Sequence, residues 1–121
     1  MTEHTRALLD GSDKILGVVR SNGICDAETF LRGLDNRYKA RYQRWFEYYR
    51  DGKPIKNPEN LKHLRQAEDS AVWELKSGGF RLYIVAYQGK WYATHGVKKV
   101  QDKRVNAEIE KALNLFNELI R

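Results

Sequence analysis

The amino-acid sequence predicts an α+β protein with the order strand, two helices, three antiparallel strands and a final helix. The main observation is the stretch from Val72 to Lys99, which is typical of three short strands joined by tight turns at Gly78-Gly79 and Gln88-Gly89. Helical patterns of apolar residues precede and follow this three-stranded meander. With 121 residues, the chain is long enough for one domain whose core needs neither a disulfide nor a metal.

The first half of the chain is expected to supply one strand and two helices. Residues 1–13 are polar and mixed in sign, which predicts an extension that is loosely ordered or forms a short helix around residues 6–9, and residues 14–121 are expected to form a single domain. Ile15–Val19 is a compact apolar run that favours a strand able to join the edge of the meander. Asp26 is suited to cap the first helix. The second helix carries an apolar stripe, which consists of Leu34, Tyr38, Tyr42, Trp45, Phe46 and Tyr49.

A polar connection follows the second helix, and one more helix comes after the meander. Asp51–Pro54 is expected to end the second helix, and Leu61–Ser70 is interpreted as a polar link into the meander. Gln101-Asp102 is predicted to cap the final helix. The apolar face of that helix consists of Val105, Ile109, Ala112, Leu113, Phe116 and Ile120.

Composition narrows the classes of function. The net charge of +6 and the pI near 9.5 favour an anionic partner, with nucleic acid as the first candidate. A single cysteine, Cys25, excludes an intramolecular disulfide and suits a reducing cytosol. No apolar run has the length of a membrane span, so we expect a cytoplasmic protein without a membrane partner. The sequence contains no phosphate-binding glycine loop, no nucleophile elbow and no metal-ligand spacing, so neither a cofactor nor a metal is expected.

The first turn of the meander sorts side chains onto two faces. Antiparallel register places Lys76 opposite Arg81 and Glu74 opposite Tyr83 on one face. The other face is apolar and carries Trp73, Leu75, Leu82, Ile84 and Ala86. The segment from residue 61 to residue 104 holds nine Lys and Arg against four acids, so most of the excess charge belongs to this part of the chain. The polar face is interpreted either as a functional surface or as an ordinary solvated side of the sheet.

The sequence does not determine on which face of the sheet His95 lies, because this depends on the length of the second turn. A two-residue loop at Gln88-Gly89 places His95 beside Leu82 on the core side, whereas a three-residue loop places it beside Tyr83 on the polar side. The first alternative gives a buried structural histidine, and the second gives a candidate proton carrier.

Four blocks of residues, Leu61–Leu64, Val72–Lys76, Gly79–Tyr83 and His95–Lys99, occur in the order of a known family. Together they resemble the RelE/ParE toxin superfamily and, within it, the HigB-like, phage-associated branch. The resemblance covers residues 26–118. It implies a RelE-like fold in which two helices pack on one face of a twisted antiparallel sheet, formed by the meander and the first strand, with a C-terminal helix. It also implies a type II toxin that a cognate antitoxin neutralises and that cuts mRNA in the ribosomal A site without a metal.

The resemblance also implies roles for individual residues. Cleavage at a 2′-hydroxyl needs a base, cations that stabilise the phosphorane and an acid for the leaving oxygen. Arg81 and Lys76 match basic positions of the family and are assigned to charge stabilisation. His95 is the natural proton carrier, and Glu74 or Tyr83 can replace it as base or acid. Contacts with backbone phosphates are expected from Lys62, Arg65, Lys98, Lys99 and Lys103.

The sequence departs from some active RelE-type members in two places, which leaves other functions open. Glu74 stands where those members carry a basic residue, and no tyrosine follows Tyr92. The alternatives are a ParE-like inhibitor that binds a protein such as gyrase, and a degenerate, non-catalytic member that only binds RNA or protein.

Overall fold

The computed structural model describes residues 4–98 and 102–120, with side chains from residue 104 onward in the second range. These residues form an α+β fold with six strands and three helices, which confirms the predicted class. All six strands lie in one mixed sheet with the order β1-β2-β6-β5-β4-β3. In chain order, the elements are β1 (Thr5–Ala7), β2 (Ile15–Val18), α1 (Asp26–Arg32), α2 (Asn36–Arg50), β3 (Leu61–Ala67), β4 (Ser70–Ser77), β5 (Phe80–Tyr87), β6 (Lys90–Lys98) and α3 (Asp102–Ile120).

Two strands were not predicted, and the sheet is not purely antiparallel. Residues 5–7 form β1, which pairs with β2, where loose order or a short helix was expected. The polar link expected before the meander forms β3, the edge strand beside β4. The first predicted strand joins the meander as expected, but β2 runs parallel to β6. Each of the two strands pairs with the strand that follows it along the chain, but its own pattern is weak, because β1 has only three residues and no residue of β3 is fully buried.

Helices cover both faces of the sheet. On one face, α1 and α2 pack on a core that includes Leu75, Leu82 and Ile84. On the other face, α3 packs on a second core of buried residues, which consists of Val72, Tyr83, Val85, Ile109, Ala112 and Phe116. The interpretation of this second face as a polar, solvated surface is therefore wrong for its centre. Polar side chains remain at one end, beside the β4–β5 turn.

The predicted register of β4 and β5 is confirmed, and β6 adds an irregularity. Lys76 pairs with Arg81, and Glu74 pairs with Tyr83. The β5–β6 loop has two residues, since Tyr87 pairs with Lys90, but the register shifts between Tyr83 and Ile84. Thr94 is the extra residue of this bulge, so His95 lies opposite Tyr83 even though the loop is the shorter alternative.

Three smaller observations concern the helix ends and the length of the helices. Cys25, not Asp26, occupies the cap position of α1, and Asp26 instead accepts a hydrogen bond of 2.7 Å from Arg20 Nε. The predicted capping of α3 by Gln101-Asp102 lies outside the described residues, because residue 101 and the side chain of residue 102 are not described. Within the described ranges, no helix is long and apolar enough to cross a membrane.

Candidate functional site

Four strands place one polar side chain each in a row across the end of the sheet. Lys62 on β3 pairs with Glu74 on β4, Glu74 pairs with Tyr83 on β5, and Tyr83 pairs with His95 on β6. Residues directly opposite each other across a strand pair share a face, so these four side chains are neighbours. Lys76 and Arg81 form a second pair one step nearer the turn. The structure therefore brings all five predicted catalytic residues together.

Glu74 lies beneath the two cations of this site. Its Oε1 is 3.8 Å from Lys76 Nζ and 3.6 Å from Arg81 Nε. Arg81 Nη1 donates hydrogen bonds of 2.9 Å to the carbonyl oxygens of Gly78 and Phe80, which fix the guanidinium at the β4–β5 turn. The side chains of Lys76 and Arg81 are 20% and 12% exposed, and that of Glu74 is 10% exposed. Two cations over one carboxylate leave this cluster with a positive charge.

His95 lies on the polar face but is covered by α3. The residue is 2% exposed, and its ring stacks on Tyr83 with a centroid distance of 4.9 Å and an interplanar angle of 13°. Nδ1 is 3.0 Å from Thr94 Oγ1, and Nε2 is 2.5 Å from Glu108 Oε2. Burial lowers the pKa of His95 below its ordinary value, and the nearby Lys111 lowers it further, while the hydrogen bond with Glu108 opposes this shift. Both ring nitrogens are engaged, so the imidazole has a fixed orientation.

Tyr83 is a neutral phenol at the centre of the row. It is fully buried, and its hydroxyl makes no hydrogen bond within the described part of the chain. Burial raises the pKa of Tyr83, and the negative charges of Glu74 and Glu108 raise it further. The side chain therefore keeps its proton at neutral pH.

The predicted phosphate-binding residues lie in different surroundings in the structure. Lys62 and Lys98 are exposed, but only Lys62 lies in the row, next to Glu74. Lys98 pairs with Phe80, which packs on the core of the opposite face of the sheet. Arg65 forms an ion pair with Glu110 and donates a hydrogen bond of 3.3 Å to Asn106 Oδ1, so it links β3 to α3. Lys99 and the side chain of Lys103 lie outside the described residues.

A protein-family model described as "Phage derived protein Gp49-like (DUF891)" matches residues 29–117, which is well over half of the chain. The chain belongs to this Gp49-like family. The family lies within the RelE/ParE-like toxin superfamily and is assigned to the toxins of toxin–antitoxin systems, so a cognate antitoxin is the partner it implies. No curated protein matches the chain. The superfamily prediction is confirmed, and the HigB-like branch stays a prediction.

Two residues of this Gp49-like chain belong to the site but were not found by sequence reasoning. Glu108 reaches His95 from α3, and Arg41 of α2 lines a surface cavity together with Lys76 and Arg81. Glu108 carries no sequence signal, because its contact joins a helix to a strand that is distant along the chain. Arg41 has a weak one, since arginines interleaved with aromatic residues on this helix can indicate stacking on nucleic acid, although the same spacing favours an apolar stripe with a solvated face.

Proposed function

We propose that this Gp49-like protein is the toxin of a type II toxin–antitoxin system and cuts mRNA on the ribosome with its own side chains and without a metal. The observation that carries the proposal is the cluster of Glu74, Lys76 and Arg81, in which a carboxylate lies within 4 Å of two partly exposed cations. A phosphodiester bound by the two cations would place the adjacent 2′-hydroxyl near a carboxylate. A base and two cations are the groups that proton transfer and charge stabilisation in this reaction require.

Burial decides which residues touch the RNA. The side chains of Lys76 and Arg81 are partly exposed, and Glu74 lies directly beside them, whereas Tyr83 and His95 are covered by α3. Glu74 therefore accepts the proton of the attacking 2′-hydroxyl. Arg81 stabilises the charge that develops on the phosphorane, because its planar guanidinium suits contact with two oxygens. Lys76 donates a proton to the leaving 5′-oxygen.

Tyr83 and His95 act as positioning residues in this proposal. The Tyr83 ring lies between Glu74 and His95 in the row, and the stacked imidazole, held by Glu108, fixes that ring. Since the pKa of Tyr83 is raised, its phenol stays neutral and adds no second negative charge beside Glu74. Glu74 therefore carries the negative charge beside Lys76 and Arg81 and is available as a base.

The test is induced expression of the wild type and of Arg81→Ala, followed by mapping of mRNA 5′ ends. We expect growth arrest and new ends inside translated codons with the wild type. Loss of the guanidinium should reduce cleavage by roughly 10²- to 10³-fold, the effect of removing one donor that stabilises a charged transition state. Arg44→Ala is the matched control, because Arg44 is an exposed arginine on the outer surface of α2.

Three outcomes separate the alternatives. Toxicity with intact mRNA and with DNA breaks would replace the nuclease proposal by inhibition of gyrase. Absence of toxicity for the wild type would favour a non-catalytic binding protein. Equal cleavage by Arg81→Ala and Arg44→Ala would keep the nuclease but remove Arg81 from its active site.

A further inference from the structure

A polar surface cavity lies beside the proposed active site. It has a volume of about 300 Å³, and its lining consists of Arg41, Glu59, Asn60, Lys76, Gly78 and Arg81. Lys76 and Arg81 are shared with the cluster described above, so the cavity opens directly from the position proposed for the scissile phosphate. Arg41 approaches from α2, and Glu59 and Asn60 approach from the segment that precedes β3.

The wall that carries Arg41 is held rigidly against the β4–β5 turn. Ser77 Oγ donates a hydrogen bond of 3.1 Å to the carbonyl of Tyr38, and the Tyr42 hydroxyl donates one of 3.2 Å to the carbonyl of Leu75. Gly78 has a φ of +59°, and a Cβ at this position would come within 2.5 Å of the Tyr38 ring. Contacts on both sides of Arg41 along the helix therefore fix its backbone at the edge of the cavity.

The opposite wall is formed by a hydrogen-bonded turn. Asn57 Oδ1 accepts a bond of 2.9 Å from the amide of Glu59, and the Asn57 carbonyl accepts one of 2.8 Å from the amide of Asn60. The Asn60 carbonyl in turn accepts a bond of 2.7 Å from the amide of Lys76. The turn is thus joined to β4 at the residue that borders the active site, and the cavity is preformed.

Charge and size indicate what the cavity accepts. Its lining has three cations and one carboxylate, so an anion is favoured. Its volume is many times the roughly 30 Å³ that one water molecule occupies, and it reaches the lower end of the range of ligand sites, about 300 Å³. Arginine planes stack on unpaired bases, and amide and carboxylate groups bind base edges. A nucleotide uses all of these groups, whereas a lone phosphate leaves Glu59 and Asn60 without a role.

We propose that this cavity is a nucleotide subsite, which holds the nucleotide joined to the phosphate bound by Arg81 and Lys76, with Arg41 as its principal contact. The inference rests on the proposed function for the identity of that phosphate. It adds a binding residue on a helix that carries none of the proposed catalytic groups. Its substrate is single-stranded RNA, because only an unpaired nucleotide can be turned into a cavity beside the backbone.

The test measures binding without cleavage. A short single-stranded RNA with methylated 2′-hydroxyls is titrated with the full chain at several salt concentrations, and fluorescence anisotropy gives the affinity. Arg41→Ala should weaken binding about tenfold at every salt concentration, the effect of losing one stacked base, whereas the loss of a phosphate contact would reduce the slope of log affinity against log salt by about 0.7. Arg44→Ala should stay within about twofold of the wild type. Urea unfolding of both variants confirms that they are folded.

A series of RNAs with the same sequence, each with one abasic position, identifies the nucleotide that the cavity binds. One position should weaken binding to the wild type about tenfold and have no effect on binding to Arg41→Ala, because the base and Arg41 then form one interaction. If Arg41→Ala weakens binding but is coupled to no abasic position, a phosphate alone occupies the cavity and the subsite inference is wrong.

The remaining outcomes keep this inference separate from the proposed function. Binding that depends on Arg41, without mRNA cleavage in cells, would retain the subsite and reject the nuclease. Cleavage in cells with equal RNA binding by Arg41→Ala and Arg44→Ala would retain the nuclease and reject the subsite. Absence of RNA binding by the wild type at low salt would also reject the subsite.

Discussion

The buried contact between His95 and Glu108 links the stability of the protein to pH. In the folded chain, burial and Lys111 lower the pKa of His95, while Glu108 and, more weakly, Asp26 oppose the shift. The Tyr83 ring covers one side of the imidazole and carries no charge at neutral pH. In the unfolded chain, the pKa of a histidine is about 6.5. The unfolded state therefore binds more protons than the folded state just below that pH.

The expected result is a loss of stability on acidification that originates at His95. The free energy of unfolding should fall as the pH drops below about 6.5, with a slope from this residue of at most about 1.4 kcal/mol per pH unit. Urea unfolding of the wild type and His95→Gln between about pH 7.5 and pH 5 measures the difference. His63→Gln is the control, since His63 is exposed on the edge strand β3. If His95→Gln retains the pH slope of the wild type, the buried imidazole is not its source.

At the scale of elements, a close approach between β6 and α1 positions the strand that carries His95. A Cβ at Gly96 would come within 2.2 Å of the Phe30 ring. That ring has little room to move, because its centroid is 6.1 Å from the rings of both Tyr42 and Phe80 in edge-to-face contacts. Only glycine allows α1 to lie so close to the strand.

Gly96→Ala should therefore destabilise the protein. Overpacking of this kind costs about 1 to 3 kcal/mol, which would lower the urea midpoint. Gly33→Ala is the matched control, because its added methyl group would contact only carbonyl oxygens at 3.7 Å and its φ of −80° suits alanine. Equal midpoints for the two variants would mean that α1 does not press on β6 at Phe30.

The β4–β5 hairpin, the β6 bulge and α2 show how far the sequence predicts the site. The register that pairs Lys76 with Arg81 was predicted correctly, because the two glycines Gly78-Gly79 form a tight turn and the turn residues determine the register of a hairpin. The face of His95 depends on the bulge at Thr94, which loop length does not reveal. Arg41 could not be assigned to the site from its pattern, because the packing of α2 on the turn is a tertiary contact.

For the molecule as a whole, the sheet is stable only if helices cover both of its faces. Residues of β4 and β5 that alternate between the faces, such as Val72, Leu75 and Leu82, are all completely buried. The face opposite α1 and α2 depends on α3, whose apolar stripe includes Ile109 and Phe116. Since Glu108 on the same helix contacts His95, α3 both completes the second core and covers one end of the row of polar side chains.

Phe116→Ala should loosen this element and destabilise the entire domain. Phe116 is 1% exposed and contacts the rings of Tyr87 and Tyr92 at centroid distances of 5.3 Å, so truncation leaves a cavity between α3 and the sheet. A loss of about 3 to 5 kcal/mol in the free energy of unfolding is expected from urea denaturation. Ile120→Ala, one turn further along the same helix but exposed, should change it by less than about 0.5 kcal/mol. A single cooperative transition with a lower midpoint in Phe116→Ala would show that α3 unfolds together with the sheet. A change as small as that of Ile120→Ala would instead show that the contacts of Phe116 with Tyr87 and Tyr92 contribute little to the stability of the fold.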